Sequence, residues 1–251
     1  MALGDDGLSL MSRFFIPPEQ IHNDIFVLAG SEARHAALVL RKKIGDTIEL
    51  FDGKDLSYRG RIDSISSERV EGVILERQAQ GRPCACELIL YQALIKGPKW
   101  DWLVEKGCEI GVVKLVPLMT TRTIVKPSRE AALERWKRIA LAAAKQCGRP
   151  AVMEISEPKP FPEAIASLPK GCVALIPWEK EAEKTVRQAL SSSPAAVALF
   201  IGPEGGWDTQ EVDLAVRHGV VPVTLGPTLL RSETAGLVAA TLVLAERGGY
   251  S

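Results

Sequence analysis

Ile201-Gly202-Pro203-Glu204-Gly205-Gly206 follows an apolar run at 196–200, and Leu225-Gly226-Pro227-Thr228-Leu229-Leu230-Arg231-Ser232-Glu233-Thr234-Ala235 follows another at 221–224. Each run has the length of a buried strand, and each gives way to a loop built on glycine and proline. After the first loop, Asp208-Thr209-Gln210-Glu211 forms a capping box, so a helix starts there. After the second, residues 236–245 are apolar all round, which predicts a helix buried on every side. Glycine lets a ligand approach main-chain amides closely. A strand, a glycine loop and a helix start are the ligand-binding arrangement of α/β proteins. Neither loop is G-x-G-x-x-G or G-x-x-x-x-G-K-[ST], so neither dinucleotide nor P-loop binding is indicated.

Working outward, short apolar runs recur at 87–95, 112–118 and 173–177. Between them Trp100, Leu103, Val104, Gly107 and Ile110 share one helical face, and Trp136, Ile139, Ala140, Ala143 and Cys147 share another. This alternation predicts an α/β domain with a mostly parallel sheet over 81–251. The preceding part is different. Ile48-Glu49-Leu50-Phe51, the turn signal Asp52-Gly53, then Tyr58-Arg59-Gly60-Arg61-Ile62 and the alternating run 70–75 read as short strands. With one helix at 32–41 they suggest a small β-barrel over 12–80, ended by Gln80-Gly81-Arg82-Pro83. Residues 1–11 read as a flexible extension.

Across 251 residues, 31 Lys and Arg balance 31 Asp and Glu, while 46% of the side chains are hydrophobic. This is an ordinary globular composition, without the overall basic surplus of a generic nucleic-acid binder. The balance is uneven, however. Residues 1–80 carry 10 basic and 13 acidic side chains, residues 81–150 carry 13 and 6, and residues 151–251 carry 8 and 12. Arg135, Arg138, Lys145 and Arg149 fall within an arc of roughly 80° on the second helix, opposite its apolar stripe. They form either a solvated face or a strip for phosphates. Cys84, Cys86, Cys108, Cys147 and Cys172 contain no C-x-x-C pair and, with His22, His35 and His218, form no zinc pattern. Free thiols point to a reducing, cytoplasmic setting. The acidic start is no signal peptide, and no apolar run is long enough to span a bilayer. Neither a metal nor a membrane partner is therefore expected.

Arg231 and Glu233 stand at the entrance of the apolar helix, where charge is costly unless it is paired or used. Either a structural ion pair or a ligand and catalytic role is open to them.

Taken together, these residues resemble the RsmE-type 16S ribosomal RNA methyltransferases. The two glycine–proline loops carry the resemblance. It extends to Arg13-Phe14-Phe15, Val39-Leu40-Arg41 with Leu50-Phe51-Asp52-Gly53, and Lys96-Gly97-Pro98-Lys99. Glu105-Lys106 with Glu109-Ile110-Gly111, and Gln146-Cys147-Gly148-Arg149, continue it in order, so it covers nearly the whole chain from Arg13 to about Arg247. One departure is Lys145, where the family often has Glu.

The resemblance implies an N-terminal PUA-like barrel that binds RNA, joined to a C-terminal SPOUT α/β domain with a trefoil knot, acting as a homodimer. It implies transfer of a methyl group from S-adenosylmethionine to N3 of a uridine in 16S rRNA, either naked or in the small ribosomal subunit. The expected cofactor pocket comprises Leu175, Pro177, Ile201, Gly202, Gly205, Gly206, Leu225, Gly226, Leu229, Leu230, Arg231, Thr234 and Ala235. Uridine N3 bears a proton that must leave, so a proton acceptor or anion stabiliser is needed. Arg231 is the candidate stabiliser, and Glu204 and Glu233 are the candidate acceptors. The expected RNA contacts are Arg13, Arg41, Lys42, Lys43, Lys96, Lys99, Arg135, Arg138, Lys145 and Arg149. Two alternatives are a SPOUT enzyme acting on tRNA and a non-catalytic RNA-binding assembly factor.

Overall fold

The computed structural model describes residues 13–79, 86–125, 130–191 and 193–250. The predicted extension at 1–11 and the break at 80–83 lie outside the described residues. The chain divides into two compact units, Met1–Gly81 with Lys145–Ala151, and Arg82–Ala144 with Val152–Ser251.

The first unit contains β1 (Arg13–Phe15), β2 (Ile21–His22), β3 (Ile25–Ala29), a one-turn helix α1 (Gly30–Arg34) continued as a π-helix (His35–Val39), β4 (Thr47–Phe51), β5 (Leu56–Ile65) and β6 (Arg69–Ala79). The expected Asp52-Gly53 turn is present, and Asp52 holds it by accepting the amides of Lys54, Asp55 and Leu56 on Oδ1. The sheet runs β1-β4-β5-β6-β3-β2. Its two ends do not pair with each other among the described residues, so this is a curled half-barrel rather than the β-barrel expected. Phe14, Phe26, Leu28, Ile48, Leu50 and Ile62 fill its concave side. Gly72 is required there, because a Cβ would lie 1.9 Å from the Arg61 carbonyl oxygen.

The second unit contains β7 (Glu87–Ala93), α2 (Gly97–Ile110), β8 (Lys114–Met119), α3 (Glu130–Cys147, whose last residues cluster with the first unit), β9 (Glu154–Ile155), β10 (Lys159–Pro160), α4 (Phe161–Ala166), β11 (Val173–Pro177), α5 (Val186–Ala189), β12 (Ala196–Ile201), α6 (Thr209–Arg217), β13 (Val221–Val223) and α7 (Ser232–Glu246). The strands form an all-parallel sheet, β10-β8-β7-β12-β11-β13, with β9 beside β8. Continuous apolar runs are what such a sheet demands, since it is covered on both faces. The molecule is therefore a mixed α/β protein. The capping box at Asp208 and Glu211 forms as expected, with each side chain accepting a bond from the other residue's end of the turn.

Two helix expectations need correction. α7 is not buried on every side: Gly236, Ala239, Ala240, Val243 and Leu244 face inward, whereas Leu242 is 39% exposed beside exposed Thr241 and Ala245. Composition marked the helix as apolar but could not say which face met protein. Arg149 does not continue the α3 strip, because the helix stops at Cys147 and Gly148 turns the chain with φ +78°.

Candidate active site at the ends of three parallel strands

β12, β11 and β13 lie side by side and parallel, so the segments after them emerge on one edge of the sheet. Crevices at the carboxyl ends of parallel strands are where α/β sheets bind ligands. A cavity of about 640 Å³ opens there, within the range of small-molecule sites. It is lined by 177–179 and Glu181 after β11, by 201–207 after β12, by 224–232 with Ala235 after β13, and by Lys99 from the first turn of α2.

Local chemistry fixes each wall. The Gly206 amide bonds the Pro203 carbonyl (3.0 Å), closing a turn that leaves Gly206 at φ +69°. Only glycine adopts that conformation without strain, and the Glu179 carboxylate lies on its open side. Trp207 is buried and donates its indole N–H to the Pro177 carbonyl (3.2 Å), tying the first glycine loop to the end of β11. Arg122 braces the loop from outside, donating to the Gly205 carbonyl (3.0 Å) and the Asp208 carboxylate (3.3 Å). In the second loop Thr224 Oγ1 accepts the Gly226 amide (3.2 Å), and Gly226 stands at φ +114°.

The charged groups are arranged differently from a simple Arg231–Glu pair. Lys99 Nζ lies 3.1 Å from both Glu204 and Glu233, and these two carboxylates raise its pKa. Burial acts to raise the pKa of Glu233, but its own amide, Lys99 and Arg231 together hold it below the ordinary value. Glu233 is buried and is not part of the cavity wall, whereas Glu204 is exposed on it. Arg231 precedes α7 at the cavity rim, exposed, with no carboxylate within 4 Å among the described residues.

Of the thirteen residues expected in the pocket, eleven line the cavity. Leu175 is fully buried within β11, and Thr234 lies on α7 outside the lining. Sequence reading missed Trp178, Glu179, Glu181 and Trp207. Their signal was position at a strand's carboxyl end, which acquires meaning only once β11 is known to sit between β12 and β13.

The residues expected to contact RNA differ in their immediate surroundings. Arg13 is buried, with Nε 3.0 Å from Glu49, its guanidinium over the Phe51 ring, and a bond to Ser57; burial lowers its pKa despite Glu49. Arg41 (φ +51°) and Lys43 are exposed beside half-buried Lys42. Lys96 and Arg138 are exposed, Arg135 pairs with Asp101 (2.5 Å), and Lys145 meets both oxygens of Glu32 at 2.8 Å. Among the described residues no cluster of His, Cys, Asp and Glu could hold a metal, and no helix is long and apolar enough to cross a membrane.

The RNA methyltransferase domain family matches residues 82–244, and the RNA methyltransferase PUA domain family matches 28–75. The ribosomal RNA small subunit methyltransferase E of Bacillus subtilis is 31% identical over 245 residues, covering 93% of this chain and 96% of that protein. The chain belongs to that family. Its Synechocystis counterpart is also 31% identical, over 90% of this chain and 75% of that protein. The crystal structure of a ribosomal RNA small subunit methyltransferase E from Neisseria gonorrhoeae, bound to S-adenosyl methionine, has a TM-score of 0.87. It is 30% identical and covers 96% of this chain and 100% of that chain. Relatives of this kind are enzymes, and the half-barrel of the first unit corresponds to a PUA domain.

Proposed function

We propose that this protein is an S-adenosylmethionine-dependent methyltransferase that methylates N3 of a uridine in 16S rRNA. The observation that carries this reading is the cavity at the ends of β11, β12 and β13, with exposed Arg231 at its rim. Its lining suits the cofactor. Ile201, Leu225, Leu230 and Pro177 offer an apolar wall for a ring, the glycine loops let a ligand approach the main chain, and Glu179, Glu181 and Glu204 offset positive charge. When bound, the cofactor supplies a methyl group on a positively charged sulfur. The chain's task is then to align the acceptor and manage one proton.

Arg231 can stabilise the negative charge that develops as uridine loses its N3 proton. Of the two candidate acceptors, Glu204 lies on the wall, whereas Glu233 is buried against Lys99 with a depressed pKa, which suits a structural anion. Glu204 is therefore the proposed proton acceptor.

From edge strand β13 the chain returns so that α7 packs on β7 and β12, and Ser232 bonds the Gly202 carbonyl (2.5 Å). This path supports a trefoil knot across 201–246. The exposed stripe of α7 supports a homodimer, and Arg41, Lys42 and Lys43 are proposed as RNA contacts of a first domain ending near residue 80. The expected setting is the cytoplasm.

The test is mass spectrometry of nucleosides from 16S rRNA and from small subunits incubated with enzyme and isotopically labelled cofactor. Labelled N3-methyluridine is expected, and Arg231→Ala should lower turnover about 10²–10³-fold at saturating cofactor. Normal turnover in that variant removes Arg231 from the chemistry, and absence of labelled uridine removes the assigned reaction.

A further inference from the structure

Gln92 is completely buried at the end of β7, inside a run of apolar residues. Its Nε2 lies 2.8 Å from Ser232 Oγ, and Ser232 Oγ lies 2.5 Å from the Gly202 carbonyl oxygen. Counting protons fixes the direction of this chain. A carbonyl oxygen only accepts, so the single hydroxyl proton of Ser232 is committed to Gly202. Ser232 must then receive its second bond from a donor, and the Gln92 amide must present its NH₂ group. Oε1 is left facing the backbone of α7 with no hydrogen-bond partner among the described residues, and a Cβ at Gly236 would come within 2.4 Å of it. A buried orphan acceptor costs on the order of 1–3 kcal/mol, so leucine or methionine would serve packing better at this position.

We propose that Gln92 is a positioning residue: as an obligatory donor to Ser232, it fixes the Gly202 carbonyl and thereby the first glycine loop of the cofactor cavity. A second tie joins the same two segments, because Lys99 bridges Glu204 on that loop to Glu233 beside Ser232. Both ties are anchored between the end of β7 and the first turn of α2. The first turn of α7 is thus held against the glycine loop at two points before any ligand arrives. Pre-set geometry of this kind lowers the ordering cost of binding.

The inference rests on the cavity being the cofactor site, and Gln92→Glu tests it with a sign that packing alone does not produce. An ionised carboxylate only accepts, so the variant competes with Gly202 for the Ser232 proton. When protonated, the carboxyl can donate as the amide does. Burial raises a carboxyl pKa, placing this titration toward neutral pH. In calorimetric titrations with S-adenosylmethionine, the variant should bind at least tenfold more weakly than wild type at pH 8 and recover as the pH is lowered towards 5.5. The wild-type to variant ratio at each pH removes any titration of the ligand. Amide hydrogen exchange of 201–207 in the ligand-free protein should be at least tenfold faster in the variant at pH 8.

An affinity ratio and loop exchange that stay at wild-type levels across this range overturn the role of Gln92. No binding to the wild-type protein overturns the cofactor reading instead, while the exchange comparison still decides whether Gln92 holds the loop. Should Gln92→Glu fail to fold, Ser232→Ala removes the same bond to Gly202. It should show the same faster loop exchange, and unchanged exchange there overturns the proposal.

Discussion

Arg231 and Glu233 are two positions apart in sequence, yet at the start of a helix residues with that spacing do not face each other. Glu233 finds Lys99 instead, at 3.1 Å and 134 positions away along the chain, a partner no local pattern indicates. This pair has a pH signature. The folded pKa of Glu233 lies below its ordinary 4.5, so its contribution to stability is present above about pH 4.5 and is lost as the pH falls through the folded value. Lys99 has the opposite sign, its pKa raised above 10.5, so its contribution is complete below that pH and fades as the pH rises through the folded value. Glu233→Gln should therefore flatten the loss of stability between pH 5 and 3, measured by urea unfolding at several pH values. Parallel wild-type and variant profiles would remove the ion pair as its cause.

At the scale of elements, the sequence reveals what repeats and conceals what depends on neighbours. The β11, β12 and β13 runs, both glycine loops and the Asp208 capping box are readable because each is set by local chemistry. The lip formed by Trp178, Glu179 and Glu181 is not readable, since its role depends on strand order. Gln92 is concealed for another reason: a single polar residue within an apolar strand looks like a tolerated exception until its bond to Ser232, 140 positions away, is seen. α7 shows both sides of this. Its apolar character is plain, but its exposed stripe of Leu242 with partly exposed Leu237 and Val238 emerges only in three dimensions. If that stripe is the proposed dimer interface, Leu242→Lys places a charge where a stable association would bury roughly 800 Å² per partner. Sedimentation velocity should then show the mass of two chains for wild type and of one for the variant. Two chains in both cases would place the interface elsewhere.

For the whole molecule, formal charge overstates what is available to RNA. The basic surplus lies in 81–150, yet Lys106 is shared by Glu105 and Glu109 and pushed up to about 12, Lys114 pairs with Glu154, and Arg122 with Asp208. Arg135 and Lys145 are likewise engaged, so the strip that helical spacing draws across α3 is largely neutralised by partners from other segments. Among the described residues of this basic segment, Lys96 and Arg138 are exposed cations with no carboxylate within 4 Å. Counterion release distinguishes the two kinds of cation. Each phosphate contact adds about 0.7–0.9 to the slope of log affinity against log salt, but a cation already neutralised by a carboxylate has few counterions to release. Arg138→Ala should therefore lower the slope for 16S rRNA by close to one contact. Lys145→Met should leave the slope nearly unchanged while lowering thermal stability, because it strands Glu32, whose side chain is only 18% exposed. Equal slope changes in the two variants would mean that RNA pulls Lys145 away from Glu32, and the α3 strip would then act as a unit.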